Sequence, residues 1–328
     1  MGTPGHVAIC MATRNGAAYL PAQLDSLRAQ THKDWSLIAS DDGSTDATWD
    51  ILGHAFQTIT GHRRKGPQQG FAANFLSMLS ELPADTDYVA FCDQDDVWAR
   101  EKLERAIRHL PAPDRLGFYA ACARPCDATL VPLDRGFRCK AKRLSLDRAF
   151  WVSDTLGNTV VMTRALSDLV ARTAAHAAPL RTHDWLAYLC AAACGADMVH
   201  DPWAAVAYRQ HGANTIGAAR GLTGLITKGG HLASGRYAAW VNANAAALAA
   251  LGAAIIPDAR DEIARLESLR APGREADLTR HLRKTTARAR VEMGERAPFL
   301  VAARMGLLSR QPPRYAWFEY LANSARAT

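Results

Sequence analysis

The first third of the chain alternates short apolar runs with stretches of helical period, and nothing else in the sequence restricts the fold so tightly. "HVAICMAT", "WSLIASD" and "YVAFCD" read as buried strands, because apolar residues run on instead of alternating with polar ones. Between them, "AYLPAQLDSLRAQ" places Leu20, Leu24 and Leu27 on one helical face, with Pro21 tolerated only in a first turn. "ATWDILGHAF" repeats apolar residues at Trp49, Leu52 and Phe56, with Asp46 able to cap that helix. "FAANFLSMLSEL" does the same at Phe71, Phe75, Met78 and Leu82, and a further helix carries Leu103, Ile107 and Leu110. Strand and helix in strict succession call for an α/β fold with a doubly wound, mainly parallel sheet of Rossmann-like type.

In such a sheet ligands sit in the crevice beyond the carboxyl ends of the strands. The polar clusters fall there: Thr13-Arg14-Asn15 after the first strand, Asp41-Asp42-Gly43-Ser44 after the second, and Asp93-Gln94-Asp95-Asp96 after the strand at Tyr88 to Cys92. A turn or a helix cap explains any one of them. Three at corresponding ends argue for a shared pocket. Two carboxylates at a strand end, Asp93 with Asp95 or Asp95 with Asp96, can converge on one hard cation such as Mg²⁺ or Mn²⁺, with phosphate oxygens filling the remaining positions.

From about Leu116 the pattern changes to longer loops, with strand candidates in "LGFYAACA", "GNTVVMT" and "ADMVHDPWAAVAYRQ" and helices over 166–175 and 185–193. After "RQHGANTIG" the chain turns Ala-rich and helical. Three regions follow: 1–115, 116–220, and a helical C-terminal extension over 221–328. The 328 residues, 48% apolar and 22% charged, exclude a disordered or fibrous protein.

The 39 Lys and Arg against 32 Asp and Glu leave a net +7. That excess comes largely from the second half, where "RHLRKTTARAR" could meet nucleic acid, anionic lipid or nothing but water; a solvated helix face is the commonest outcome, and no nucleic-acid partner is expected. "YAAWVNANAAALAALGAAII", Tyr237 to Ile256, is too poor in Leu, Ile and Phe for a membrane span and reads as a buried or interfacial helix. The N-terminus has no charged region leading into an apolar one, so no signal peptide is expected. The seven cysteines include Cys122 with Cys126 and Cys190 with Cys194, but no spacing that marks a zinc site, and a reducing cytosol fits.

The ordered set "MATRNG", "SDDGSTD", "GPQQGFAANF" and "FCDQDDVW" resembles the family 2 glycosyltransferases, GT-A enzymes that move a sugar from a nucleotide donor. "GNTVVMTR", "THDWLAYL" and "YRQHGANTIG" look most like their bacterial rhamnosyltransferase-like branch. The resemblance runs from about Val7 to Gly217, roughly two thirds of the chain. It implies a GT-A fold, a nucleotide-sugar donor and a glycan or lipid-linked glycan acceptor.

Carried over residue by residue, the resemblance assigns Thr13 and Asp42, with Asp41 beside them, to the base and ribose, and Asn74 to a polar contact with the base. Asp93 falls near the ribose or the metal and Asp95 on the metal, while the role of Asp96 is left open. His211 would complete the metal and diphosphate site, with Arg209 adding positive charge for the phosphates. Asp184 in "THDWLAYL" becomes the inverting base, at a helix N-terminus whose dipole favours an ionised carboxylate. Beside it His183 would bind acceptor or simply sit in solvent, Trp185 would be an acceptor contact, and Gly157 is a point of close approach to the sugar. A lipid-linked acceptor would bring the basic C-terminal helices to the cytoplasmic membrane face, as a peripheral contact of an otherwise cytoplasmic protein. Two other classes compete: a sugar-phosphate nucleotidyltransferase, which needs a Gly-rich basic loop after the first strand, and a non-catalytic carbohydrate- or nucleotide-binding module.

Overall fold

The computed structural model describes residues 5–134, 138–174, 181–211, 236–288 and 308. Its core is an eight-stranded sheet in the order β3-β2-β1-β4-β7-β6-β8-β5. The first half is built as the sequence pattern requires. β1 (His6–Thr13), β2 (Trp35–Asp41) and β4 (Thr86–Asp93) lie parallel, with β1 in the middle. α1 (Leu20–Arg28), α2 (Thr48–Ala55), α3 (Phe71–Met78) and α4 (Lys102–His109) alternate with the strands, and Pro21 stands in the first turn of α1.

Successive residues of a strand face opposite sides, so a run buried throughout needs cover on both faces. Val7, Ile9 and Met11 of β1 and Ala90 and Cys92 of β4 meet Leu20, Leu24, Leu27, Leu52 and Leu103 on one side. Cys10, Val89 and Phe91 meet Phe75 and Met78 on the other.

One strand escapes the hydrophobic pattern. β3 (Gly61–Lys65, "GHRRK") pairs in parallel with β2 at the sheet edge, and its residues are exposed or half-buried. Backbone pairing alone makes it a strand, and its charges protect an open edge from further pairing. Arg63 and Lys65 lie over the Trp49 ring, 4.1 and 3.6 Å from its centre.

In the second half, β6 (Gly117–Cys126) and β8 (Asp197–Arg209) are parallel to each other, β7 (Val161–Thr163) runs antiparallel between β4 and β6, and the two-residue β5 (Val97–Trp98) lies antiparallel against β8. α5 (Leu146–Trp151), α6 (Arg164–Ala174) and α7 (His183–Ala193) cover this half. Every residue of α7 is buried, as befits a central helix apolar all round.

The described part of the C-terminal region consists of α8 (Arg236–Leu251), α9 (Pro257–Ser268) and α10 (Glu275–Arg288). These helices share one apolar cluster with α5, α6 and α7 through Tyr237, Val241, Leu248, Leu266 and Leu278. The segment from Tyr237 onward is therefore a packed helix, and among the described residues no helix is long and apolar enough to cross a membrane. Residues 221–235 and all but one of those after 288 lie outside the described residues. Cys190 and Cys194 are buried thiols, as helical spacing suggested, whereas Cys122 is joined in a disulfide to Cys139, with Cα atoms 6.0 Å apart, and has no covalent relation to Cys126.

Candidate active site

The polar clusters meet at the carboxyl ends of β1, β2 and β4. Thr13 ends β1 opposite Asp41, and its Oγ1 donates to Asp41 Oδ1 at 3.1 Å. Asp41 is fully buried and also accepts the Ser44 backbone N–H at 3.1 Å, with Lys65 Nζ 3.8 Å away. Its carboxylate thus ties the two strand ends together. Asp42, next along, accepts the Gln68 N–H through Oδ1 at 2.6 Å. Asn74 on α3 donates from Nδ2 to the Ser40 carbonyl at 2.8 Å, which leaves its buried Oδ1 without a partner. A Cβ at Gly66 would stand 2.7 Å from both Asn74 Oδ1 and Asp42 Oδ1. Two acceptor oxygens therefore converge where the chain has no side chain of its own.

The second cluster is the turn after β4. The chain leaves the sheet at Asp93, reverses, and re-enters as β5, where Val97 pairs with Ala207 and Trp98 with Val206 of β8. That pairing returns the end of β8 to the turn, so His211 Nε2 reaches Asp95 Oδ2 at 2.8 Å. The His211 ring lies 4.5 Å from that of Tyr19 at the start of α1. Asp93 is half-buried, and its carboxyl is pushed well above the ordinary carboxylate range by burial and then by the neighbouring charges of Asp96, Asp95 and Asp184. Asp96 is fully buried and its carboxyl is raised to about 7, again by burial and then Asp95.

Among the described residues no three His, Cys, Asp or Glu gather closely enough to hold a metal by themselves. The donors present still fit a divalent cation: carboxylate oxygens and one imidazole at a strand end.

Arg209 differs from its expected task. Its guanidinium donates from Nε to the Asp95 carbonyl at 2.7 Å and from Nη1 to the Ala128 carbonyl, and stacks 4.7 Å over Tyr19. Buried and bonded to backbone, it shapes the turn instead of offering itself to phosphate.

The third cluster heads α7. Asp184 stands in the first turn, buried, with Ser153 Oγ donating to its Oδ2 at 3.3 Å. Burial raises its pKa, while Ser153 and the backbone N–H groups of the helix start pull it down. Burial thus offsets part of the help that the helix N-terminus gives to the ionised form.

The two neighbours of Asp184 are corrected. His183 is neither in solvent nor free to meet an acceptor. Its ring stacks on Phe75 with centroids 3.8 Å apart, meets Phe91 edge-on at 4.6 Å, and burial lowers its pKa to about 3. Trp185 is fully buried and donates from Nε1 to the Ala149 carbonyl at 2.6 Å, so it packs the core. Gly157 approaches a side chain of this protein: a Cβ there would stand 2.7 Å from His183 Nε2.

Two participants escaped the sequence pattern. Asn158 lay inside the quoted "GNTVVMTR" without being singled out. Lys102 heads an ordinary amphipathic helix, where nothing marks it as buried, yet its Nζ donates to the Asn158 carbonyl at 2.8 Å.

Residues 8–155 match the family model described as glycosyl transferase family 2. This part of the chain is thus similar to the family 2 glycosyltransferases. Among curated relatives, the chain is 28% identical over 219 residues to the dTDP-rhamnosyl transferase RfbG of Shigella flexneri, a match covering 63% of this chain and 74% of that protein. It is 30% identical over 117 residues to an uncharacterized glycosyltransferase of Nostoc, covering 34% of each chain. A third relative, the UDP-Glc:alpha-D-GlcNAc-diphosphoundecaprenol beta-1,3-glucosyltransferase WfaP of Escherichia coli, is 32% identical over 108 residues, 32% of this chain and 41% of that one. The matched segments of the Nostoc and Escherichia coli relatives thus span well under two thirds of those proteins' lengths.

The fold is that of GT-A glycosyltransferases. A Staphylococcus aureus TarS structure in complex with UDP superposes with a TM-score of 0.53 at 16% identity, covering 98% of this chain and 92% of that one. The mannosyltransferase PcManGT of Pyrobaculum calidifontis, in complex with GDP-Man and Mn²⁺, gives 0.53 at 17% identity, over 93% and 87%.

Proposed function

We propose that the protein is an inverting, divalent-metal-dependent glycosyltransferase. It moves a hexose or deoxyhexose from a UDP- or dTDP-sugar to a hydroxyl of a bacterial surface polysaccharide or lipid-linked glycan. The observation that carries this reading is that the Asp93 carboxyl is raised, after burial and the charge of Asp96, by the charges of both Asp95 on the turn after β4 and Asp184 at the head of α7. This supports the reading that donor-side and acceptor-side carboxylates border one crevice.

In this reading Asp42, Asn74 and Thr13 receive the base and ribose, where Asn74 Oδ1 lacks a partner and Gly66 leaves room for a ring N–H to reach it. Asp41 keeps the strand ends together beneath them. Asp95 and His211, with Asp93, would hold Mg²⁺ or Mn²⁺, which when bound neutralises the departing diphosphate. Asp184 takes the proton of the acceptor hydroxyl as that oxygen bonds to the anomeric carbon. The bond from that carbon to the diphosphate oxygen breaks on the opposite face, giving an inverted glycoside and a nucleoside diphosphate. A carboxylate whose pKa is raised by burial is a stronger base than a free one.

The likeness to RfbG supports a dTDP-deoxyhexose donor, and the likeness to WfaP supports a UDP-hexose. The cytoplasmic setting and a peripheral membrane contact through residues 221–328 belong to the same proposal. Loss of vesicle flotation on removing those residues would support the contact, and identical behaviour with and without them would oppose it.

The nucleotidyltransferase alternative finds no support after β1. The backbone N–H groups of Arg14, Asn15, Gly16 and Ala17 donate to Gln94, Ser44, Thr48 and Asp46, so none is left to cradle a triphosphate. A panel of nucleotide sugars with Mn²⁺, read by thermal shift and then by donor turnover, tests the proposal. Stabilisation by a UDP- or dTDP-sugar, and turnover lost in Asp95→Ala, are expected. Binding without turnover of any bound sugar, with acceptor present, would favour the binding-module class.

A further inference from the structure

The turn after β4 carries one carboxylate for which the proposed reaction has no use. Asp96 is fully buried, one residue beyond Asp95, and both of its oxygens are engaged. Oδ1 accepts the backbone N–H of Arg209 at 3.0 Å, and Oδ2 accepts the side-chain amide of Asn158 at 2.5 Å. Each contact leads to one side of the crevice. Arg209 returns to the Asp95 carbonyl through Nε, and two residues further His211 meets the Asp95 carboxylate. Asn158 sits in the single 3-10 turn Gly157–Thr159, whose Gly157 lies against His183 and Asp184.

The Asn158 end is anchored from behind. Lys102 Nζ donates to the Asn158 carbonyl and lies 3.0 Å from the centre of the Trp98 ring. Lys102 and Asp96 are both wholly buried. Burying two ions costs several kcal/mol each before their contacts are counted, so they are a poor route to stability alone. A fully satisfied buried network does fix geometry.

We propose that Asp96, Asn158 and Lys102 are positioning residues. They form a buried strut that sets the gap between the Asp95–His211 pair and Asp184, in which the donor and acceptor oxygens meet. The inference rests on the function proposed above for its meaning and on the hydrogen bonds alone for its existence. A misplacement of about 1 Å between reacting groups costs on the order of a hundredfold in rate.

The link can be broken and then rebuilt with its donor and acceptor reversed. Asn158→Ala removes it. The double variant D96N/N158D restores an amide-to-carboxylate bond and keeps an acceptor for the Arg209 N–H. Folding by circular dichroism, kcat and KM for donor turnover, and the ring ¹⁵N shifts of His211 without nucleotide or metal are read for each.

Asn158→Ala is expected to lower kcat about a hundredfold, to change donor KM far less, and to move the His211 shifts. The swapped pair should bring all three back towards wild type. Wild-type kcat and His211 shifts in Asn158→Ala overturn the inference, as does a swapped pair no better than Asn158→Ala in folding or turnover. A wild-type protein that turns over no nucleotide sugar, with His211 shifts that move in Asn158→Ala and return in the swap, would sink the proposed function and leave the strut standing.

Discussion

His211 Nε2 lies 2.8 Å from Asp95 Oδ2, although the two residues stand 116 positions apart. The short antiparallel pairing of β5 with β8 brings them together. If they share a cation, His211→Ala should weaken Mn²⁺ binding to the protein–UDP complex by tenfold or more, and Asp95→Ala should abolish it. Calorimetric titration of Mn²⁺ with UDP present measures both, and wild-type affinity in either variant rules the pair out as ligands.

Asp184→Asn keeps shape and loses the proton acceptor. Transfer should fall by about 10²- to 10⁴-fold, the range for a lost general base, with UDP affinity almost unchanged. Because burial raises the pKa of Asp184, wild-type kcat should decline on acidification at a pH above the ordinary carboxylate range, as the protonated acid cannot accept the acceptor's proton. Full transfer by Asp184→Asn would remove it from the mechanism.

His183 makes a prediction about stability. Its pKa falls from 6.5 to about 3 on folding because its ring is buried among aromatic rings. Above pH 6.5 the ring is neutral in both states and adds no pH dependence. As the pH drops from 6.5 towards 3 only the unfolded state takes up the proton, so stability is lost at up to about 1.4 kcal/mol per pH unit. Urea denaturation at pH 7.0, 6.0 and 5.0 should show wild type losing stability relative to His183→Leu. Parallel curves would contradict a buried neutral ring.

Gly66→Ala places a methyl group 2.7 Å from both Asn74 Oδ1 and Asp42 Oδ1. Nucleotide affinity should fall tenfold or more with little change in kcat at saturating donor. An unchanged Kd for UDP would mean that the base binds elsewhere.

Trp185→Ala should cost about 3–5 kcal/mol of stability, the usual penalty for truncating a buried aromatic. Denaturant titration reads the loss. Trp185→Phe should keep acceptor KM near wild type, which an acceptor-stacking role for the indole would not allow.

The parallel half of the sheet was legible because its strands are buried on both faces and its helices on one, so hydrophobic period and geometry coincide. β3 was not, since "GHRRK" owes its strand to hydrogen bonds with β2 and buries little. The site was legible as residue types at strand ends. Thr13, Asp42, Asn74, Asp93, Asp95, Asp184 and His211 are the residues proposed to border the crevice, while Trp185, His183 and Arg209 show how a motif position can serve the interior. Each lies beside a functional candidate, and adjacency in sequence does not tell which side of a helix or strand a side chain takes.

Sequence alone determined the class of fold, the strand ends where chemistry collects, and the resemblance that carries them. Those are local properties, set by period and by residue type. Tertiary structure decided which charges face one another. It buried Asp96 against Asn158 and turned Arg209 onto carbonyls; it also sank Lys102 behind the turn and raised the pKa of Asp184 against the pull of its own helix. Desolvation and long-range pairing set those outcomes, and both depend on neighbours distant in the chain.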